Sequence, residues 1–202
     1  MGEHHDHEVS RAISSARKNI IANRTSALFK IGCGFLAGDP VIASDGGHDV
    51  GDNLAHNDHI KELQASTHVE GSRFATKSAL KVGGFSVMAA AAEYAIESRW
   101  NIHPKPLLSF FVSGGSLATN IYLWWDARQH TISSAHSLQS HTKWDLGVTG
   151  VTFANATSVL LGTNVNPLIP IATHVAFGCA AAWDIHSHTP EEISEVPPPL
   201  EE

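Results

Sequence analysis

Residues 106 to 125 read PLLSFFVSGGSLATNIYLWW, an apolar stretch without a charged side chain. A helix rises 1.5 Å per residue, so a segment of this length extends about 30 Å, the thickness of the hydrocarbon core of a bilayer. Three further segments share this composition, and two weaker ones precede them. The strong segments are 77–96, 106–125, 146–162 and 167–183, and the weaker ones are 19–36 and 41–55. The sequence therefore predicts an all-α fold, an integral membrane bundle of six helices.

Tryptophan and basic residues predict the orientation of this bundle. Tryptophan collects where lipid chains meet headgroups, and cytoplasmic loops retain Lys and Arg. Four tryptophans lie at or just beyond the ends of apolar segments, namely Trp100, Trp124, Trp125 and Trp183. With the N-terminus inside, the inner ends carry Arg11, Arg17, Lys18, Lys61, Arg73, Arg128 and Lys143, and the outer loops carry Arg99 and Lys105. We therefore expect both termini in the cytoplasm and the protein in the cell (inner) membrane.

Composition excludes several classes of protein. The 202 residues include 13 Lys and Arg against 20 Asp and Glu, a formal charge of −7 that argues against a nucleic-acid partner. The two cysteines, Cys33 and Cys179, are too far apart in sequence for a zinc ribbon and provide no disulfide framework. Fourteen histidines are more than a packed core requires and point to metal chemistry, in which any metal must be held by histidine and carboxylate.

Two histidine–aspartate pairs share one spacing. His48 precedes Asp52 by four residues, and His141 precedes Asp145 by four, which places each pair on one face of a helix. If the two helices face each other, the four side chains offer two nitrogen and two oxygen ligands. That set suits Zn²⁺ or Co²⁺ and is too rich in nitrogen for Mg²⁺ or Ca²⁺. Hydrogen-bonded interior residues are the alternative interpretation of the same spacing.

The sequence around these pairs resembles the cation diffusion facilitators. Residues 44–52, SDGGHDVGD, resemble the family's second-helix pattern A-D-A-x-H-x-x-x-D, and His141 and Asp145 match A-x-x-x-H-x-x-x-D of helix five. The similarity covers about residues 18 to 185. Its other fragments are Lys30–Gly34 before the turn Gly38–Pro40, His68–Arg73 against the cytoplasmic loop H-P-x-G-x-x-R, Asn120 of helix four, and Asn166–Leu168 against the D-P-L that opens helix six.

The resemblance implies a function. Members of the family are six-helix, proton-coupled exporters of divalent metals, so we expect a transporter and not an enzyme, with His48, Asp52, His141 and Asp145 as metal ligands. The expected substrate is Zn²⁺, with Co²⁺, Fe²⁺ and Mn²⁺ as further options. Expected partners are the metal ion, protons, membrane lipids and a second copy in a homodimer. The family's common C-terminal cytoplasmic domain is expected to be missing.

The remaining histidines and the ends of the chain receive weaker assignments. We expect residues 1–10 to be a disordered His-rich and acidic tail, 11–185 to be the transmembrane domain, and 186–202 to be a polar, Pro-rich tail. His174 is predicted to be a hydrogen-bonded packing residue, whereas Asp45 and Asp49 are predicted to lie around the metal site. Five histidines are placed on or near cytoplasmic loops and are weaker candidates for metal binding: His56, His59, His68, His130 and His136.

Two other functions stay open from the sequence. A mean hydropathy of −0.06 and a charged first segment favour a soluble or peripheral His-rich helical protein that buffers metal without moving it. A membrane scaffold that has lost transport is the third possibility.

Overall fold

The computed structural model describes residues 2–65, 68–97, 104–130, 135–163, 165–166 and 168–187, and it gives side chains from residue 7 onward except for residues 68 and 69. Within these ranges the chain contains six α-helices and no strand, which confirms the prediction of an all-α fold. The helices are α1 (Gly2–Ala37), α2 (Pro40–Leu63), α3 (His68–Glu97), α4 (Pro106–Ala127), α5 (His136–Leu160) and α6 (Leu168–Ser187).

The helices pack in a ring. Each contacts two neighbours in the order α1, α2, α3, α6, α5 and α4, and α4 closes the ring against α1. Helices α2 and α5 also contact each other across the ring. Residues on the facing sides of α2 and α5 can therefore meet at its centre.

The turn between α1 and α2 follows from three consecutive residues. Gly38 has φ 65°, a left-handed conformation that ends a helix at little cost to glycine. Asp39 caps α2 by accepting a hydrogen bond from the backbone N–H of Ile42 at 3.2 Å, and Pro40 occupies the first helical turn, where its missing N–H costs nothing. Because the turn is this short, α1 and α2 lie antiparallel and in close contact along their length.

A glycine permits that contact. A Cβ atom built on Gly46 of α2 would lie 2.9 Å from the side chains of Lys30 and Ile31 on α1. Small residues of this kind let two helix backbones approach closely, as in membrane bundles. The close approach brings Lys30 within reach of the acidic residues of α2.

The interior is polar and the surface is apolar. Among the described residues, the buried apolar side chains are mostly alanine, and the buried polar ones outnumber them. Large apolar side chains instead face outward, among them Leu28, Phe111 and Trp183, which are 77%, 69% and 72% exposed. Such an arrangement is costly in water but is expected where lipid covers the surface.

Three helices are long and apolar enough to cross a membrane: α3 over Glu70–Glu97, α4 over Pro106–Ala127 and α6 over Leu168–Ser187. They contain segments 77–96 and 106–125 and residues 168–183 of a third strong segment. Residues 146–160 of the remaining segment lie in α5, but the polar first turns of that helix include His141, Lys143 and Asp145 and lower its hydropathy.

Two local predictions need correction. Helix α1 begins at Gly2, so residues 2–10 continue the first helix, whereas we predicted a disordered tail. No proline or glycine interrupts residues 3–31, and Glu8 pairs with Arg11 one turn later at 3.3 Å. Residues 68–73, predicted as a loop, begin α3, since they lack the proline of the family's loop. Of the predicted C-terminal tail, residues 186 and 187 end α6, and residues 188–202 lie outside the described part of the chain.

Candidate metal centre

The two histidine–aspartate pairs meet where α2 and α5 contact each other across the ring. His48 and Asp52 lie on α2, and His141 and Asp145 lie on α5. All four side chains are buried, with exposures between 0% and 7%. The two helices run in opposite directions, so His48 lies beside Asp145 and Asp52 lies beside His141.

The distances between ligand atoms suit a tetrahedral ion. Nε2 of His48 lies 3.6 Å from Oδ2 of Asp52 and 3.6 Å from Oδ1 of Asp145. Nε2 of His141 lies 2.9 Å from Oδ1 of Asp52 and 3.4 Å from Oδ1 of Asp145. Ligands about 2.0–2.1 Å from a tetrahedral zinc are separated by about 3.3 Å. One ligand atom each of His48, Asp52 and Asp145 lies within 4.8 Å of the other two, and Nε2 of His141 adjoins both carboxylates. The four residues therefore offer donor atoms for a divalent cation, and two carboxylates balance its charge.

Ser86 of α3 sets the tautomer of His48. Its Oγ donates to the carbonyl of Val82 at 2.8 Å and lies 3.1 Å from Nδ1 of His48. Because the single hydroxyl proton goes to Val82, Ser86 accepts a hydrogen bond from Nδ1–H of His48. Nε2 of His48 then carries the lone pair, and it faces the two aspartates. A histidine that binds metal through one nitrogen commonly donates its other N–H to such a partner.

A second cluster of ligand atoms lies beside the first. One nitrogen from each of His56, His59 and His141 lies within 4.8 Å of the other two, and the three rings are buried. The structure corrects our placement of His56 and His59 on or near a loop, because α2 continues to Leu63. The signal was present in the sequence: positions 48, 52, 56 and 59 follow the spacing of one helical face. We missed it because segment 41–55 ended before both residues.

Lys30 of α1 forms ion pairs with α2 that the sequence patterns did not reveal. It is 1% exposed on α1, and its Nζ lies 2.9 Å from Oδ2 of Asp45 and 3.0 Å from Oδ1 of Asp49. Both aspartates lie on α2, so the ammonium group links the two helices beside the metal centre. Asp45 and Asp49 are thus buried members of an ion triad, and the pairing joins residues too distant in sequence to be found by spacing.

Among the described side chains, no other histidine belongs to the two clusters. His174 is buried on α6, and its Nδ1 lies 3.0 Å from Oε2 of Glu93 on α3, which confirms its predicted role as a hydrogen-bonded packing residue. His136 lies on α5, with Nε2 3.3 Å from Oγ of Ser140. His130 lies in the turn after α4, where burial lowers its pKa. The side chain of His68 lies outside the described part of the structure.

Comparison with known proteins gives no independent support for a family. Neither the family models nor the curated proteins contain a match to this chain. The likeness to the cation diffusion facilitators therefore depends on the sequence motifs quoted above.

Proposed function

We propose that the chain is an integral membrane transporter that exchanges a divalent metal, zinc first, for protons. In this proposal all six helices cross the bilayer, and both termini are cytoplasmic. His48, Asp52, His141 and Asp145 bind the metal during transport. The observation that carries the proposal is the meeting of the two histidine–aspartate pairs, which belong to opposite helices of the ring, in its polar centre.

The distribution of polar and apolar residues supports the membrane location. Large apolar side chains face outward on helices that include α1 and α2 as well as the three most apolar ones, for example Phe29 of α1 at 57% exposure and Leu54 of α2 at 43%. Buried polar groups of α1, α2 and α5 bond to one another inside the bundle, for example Lys30 to Asp49 and His141 to Asp52. Such helices can cross a bilayer inside a bundle although their mean hydropathy is modest.

The distribution of charge supports the orientation. Lys18, midway along α1, pairs with Asp126 at the end of α4 at 3.1 Å, and Lys143 near the start of α5 approaches Asp184 near the end of α6 at 3.4 Å. These pairs lie at the end of the bundle where the basic residues collect, which is the cytoplasmic end under the positive-inside rule.

Coupling to protons follows from the ligand chemistry. A histidine nitrogen or a carboxylate oxygen binds either a proton or a metal with one lone pair, so protons compete with the cation for the site. Low pH on the outer side would release the metal there, and the vacated ligands would carry protons back.

The test is metal flux in proteoliposomes that contain the full chain. We expect Zn²⁺ uptake driven by an imposed pH gradient and abolished by His48→Ala, with His174→Gln as a buried histidine control outside the centre. Equal flux in the wild type and His48→Ala would contradict the proposal. So would zinc uptake that ignores the pH gradient.

One observation favours the metal buffer as a second candidate. Helices α1, α2 and α5 fall short of the apolar character that α3, α4 and α6 have. A buffer would bind zinc in the same centre but would produce no flux, so the proteoliposome experiment distinguishes the two functions.

A further inference from the structure

His56, His59 and His141 form a compact group of imidazoles. The rings of His56 and His141 are stacked, with centroids 4.5 Å apart and an angle of 22° between their planes. His59 meets the other two rings edge-on, with centroids at 5.3 and 5.5 Å. Each side chain is at most 1% exposed. Three imidazoles in contact inside a bundle are a concentrated set of ligands for a borderline cation.

Packing alone does not explain this group. Nδ1 of His56 and Nδ1 of His59 are both buried without a hydrogen-bond partner. Buried polar atoms are normally paired, because an unpaired one costs about 1–3 kcal/mol. Each ring has a partner at its other nitrogen, Asn23 for His56 and Ser78 for His59, and His174 likewise has one partnered and one unpartnered nitrogen. What sets the group apart is that three imidazoles lie within reach of one ion. The unpartnered Nδ1 of His56, together with the contact between the three rings, points to a ligand.

The surroundings of His59 suit a metal ligand. Its Nε2 lies 3.0 Å from Nδ1 of His141, inside the group, whereas its Nδ1 lies 3.6 Å from Oε2 of Glu62. Glu62 is itself held by Ser137, whose Oγ donates to Oε1 at 2.9 Å. A carboxylate behind a histidine orients the ring towards a metal and strengthens it as a ligand. Glu62 would also offset part of the charge of a bound dication.

We propose that His56, His59 and His141 form a second site for a Zn²⁺-like cation, one to two helical turns from the first towards the C-terminal end of α2. If the orientation proposed above holds, this second site lies on the cytoplasmic side of the centre. A cation entering between α2 and α5 from that side would meet this group before the central site. The binding site itself does not depend on transport.

The two sites share His141, so only one of them can have its complete set of ligands at a time. Nδ1 of His141 faces His59, and Nε2 faces Asp52 at 2.9 Å. A neutral imidazole has one lone pair for a metal and one N–H. When Nδ1 binds the cation, Nε2–H donates to Asp52. When Nε2 binds the cation, Nδ1–H donates to His59. This alternation of His141 between two sites rests on the central site proposed above.

The test is X-ray absorption at the zinc edge, with equilibrium binding, on the full chain in detergent. In Asp52→Asn/Asp145→Asn the central carboxylates are lost, and we expect one zinc that is coordinated by three imidazoles. Adding His56→Phe, which keeps a stacked ring without ligand atoms, should abolish that binding, and so should adding His59→Gln. His174→Gln is the matched control and should leave the three-imidazole signal intact.

Three results would overturn the second site: no zinc bound by a folded Asp52→Asn/Asp145→Asn protein, a zinc coordinated without three imidazoles, or binding unaffected by both His56→Phe and His59→Gln. Alternation would fail separately if the wild type bound two zinc ions with equal affinity. A protein that passes these tests but shows no flux in proteoliposomes would contradict the proposed transport function alone.

Discussion

Nε2 of His141 on α5 lies 2.9 Å from Oδ1 of Asp52 on α2, although 89 residues separate them in the sequence. This contact crosses the middle of the ring and joins two helices that otherwise pack mainly against different neighbours. A displacement of either helix along its axis by one turn would separate the two histidine–aspartate pairs. The relative height of α2 and α5 therefore determines whether a cation meets four ligands or two.

The carboxylates provide the first prediction. Asp52→Asn or Asp145→Asn nearly preserves shape but removes one of the two negative charges that neutralise a bound dication. An uncompensated charge in the middle of a membrane costs about 3 kcal/mol, so we expect Zn²⁺ affinity to fall by about two orders of magnitude or more. Isothermal titration of the detergent-solubilised protein measures the change.

Asp184→Asn is the matched control for these variants. Asp184 lies on α6 and accepts hydrogen bonds from Trp144 and Ser140 away from the centre, so its loss should leave zinc affinity within about twofold of the wild type. Wild-type affinity in both central variants would exclude Asp52 and Asp145 as ligands.

A second prediction concerns metal preference. His48→Asp keeps a ligand at that position but changes the central donor set from two nitrogens and two oxygens to one nitrogen and three oxygens. Harder cations prefer oxygen, so the ratio of Mn²⁺ to Zn²⁺ affinity should rise. Competition titrations with the two metals measure that ratio. An unchanged ratio would show that His48 does not contact the cation.

The sequence predicted the centre more fully than its surroundings. The four-residue spacing of His48–Asp52 and His141–Asp145 is a local property of a helix, so the pattern alone indicates that each pair shares one face. Helix ends are harder to predict, because the polar residues after Ala55 lower the hydropathy while the interior of the bundle still buries them. His56 and His59 were misplaced for that reason.

Contacts between residues distant in sequence were the other feature that the sequence did not predict. The sequence marked Lys30 only as part of the fragment Lys30–Gly34 and did not indicate which residues pair with its charge. Its partners are on the next helix. They reach Lys30 because the two helices approach closely at Gly46, and that approach depends on packing. Similarly, the motifs indicated that α2 and α5 each offer a ligand pair, but not which neighbours surround them in the ring.

A third prediction tests the membrane location. If the outward apolar side chains face lipid, the protein should stay in the membrane pellet through an alkaline carbonate wash and should come out only with detergent. Immunoblotting of pellet and supernatant measures the distribution. Recovery in the wash supernatant would favour the metal buffer.

A fourth prediction isolates the orienting role of Ser86. Ser86→Ala removes the acceptor for Nδ1–H of His48, so the ring loses its fixed tautomer while all four ligands stay in place. Losses of this kind lower metal affinity by about 10- to 100-fold. Ser113→Ala is the control, because Ser113 is equally buried but bonds only to backbone carbonyls of its own helix. Equal zinc affinities in the two variants would show that Ser86 does not orient His48.

The last prediction concerns the ion triad between α1 and α2. Lys30→Met removes the ammonium group and leaves Asp45 and Asp49 buried without their cation. Breaking a buried ion pair from one side costs about 3–5 kcal/mol, because the remaining charge has neither water nor a partner. We therefore expect a marked decrease in the thermal stability of the detergent-solubilised protein, followed by tryptophan fluorescence.

A compensating variant distinguishes the loss of charge from the loss of packing. Lys30→Met combined with Asp45→Asn and Asp49→Asn has no uncompensated charge, so it should recover much of the stability that Lys30→Met loses. Lys61→Met is the exposed control, since Lys61 is at the surface and lies 3.7 Å from Asp58, and it should change stability by less than about 1 kcal/mol. If the triple variant is no more stable than Lys30→Met, the contribution of Lys30 comes from packing of its aliphatic chain against α2, and the ion triad does not stabilise the contact between the two helices.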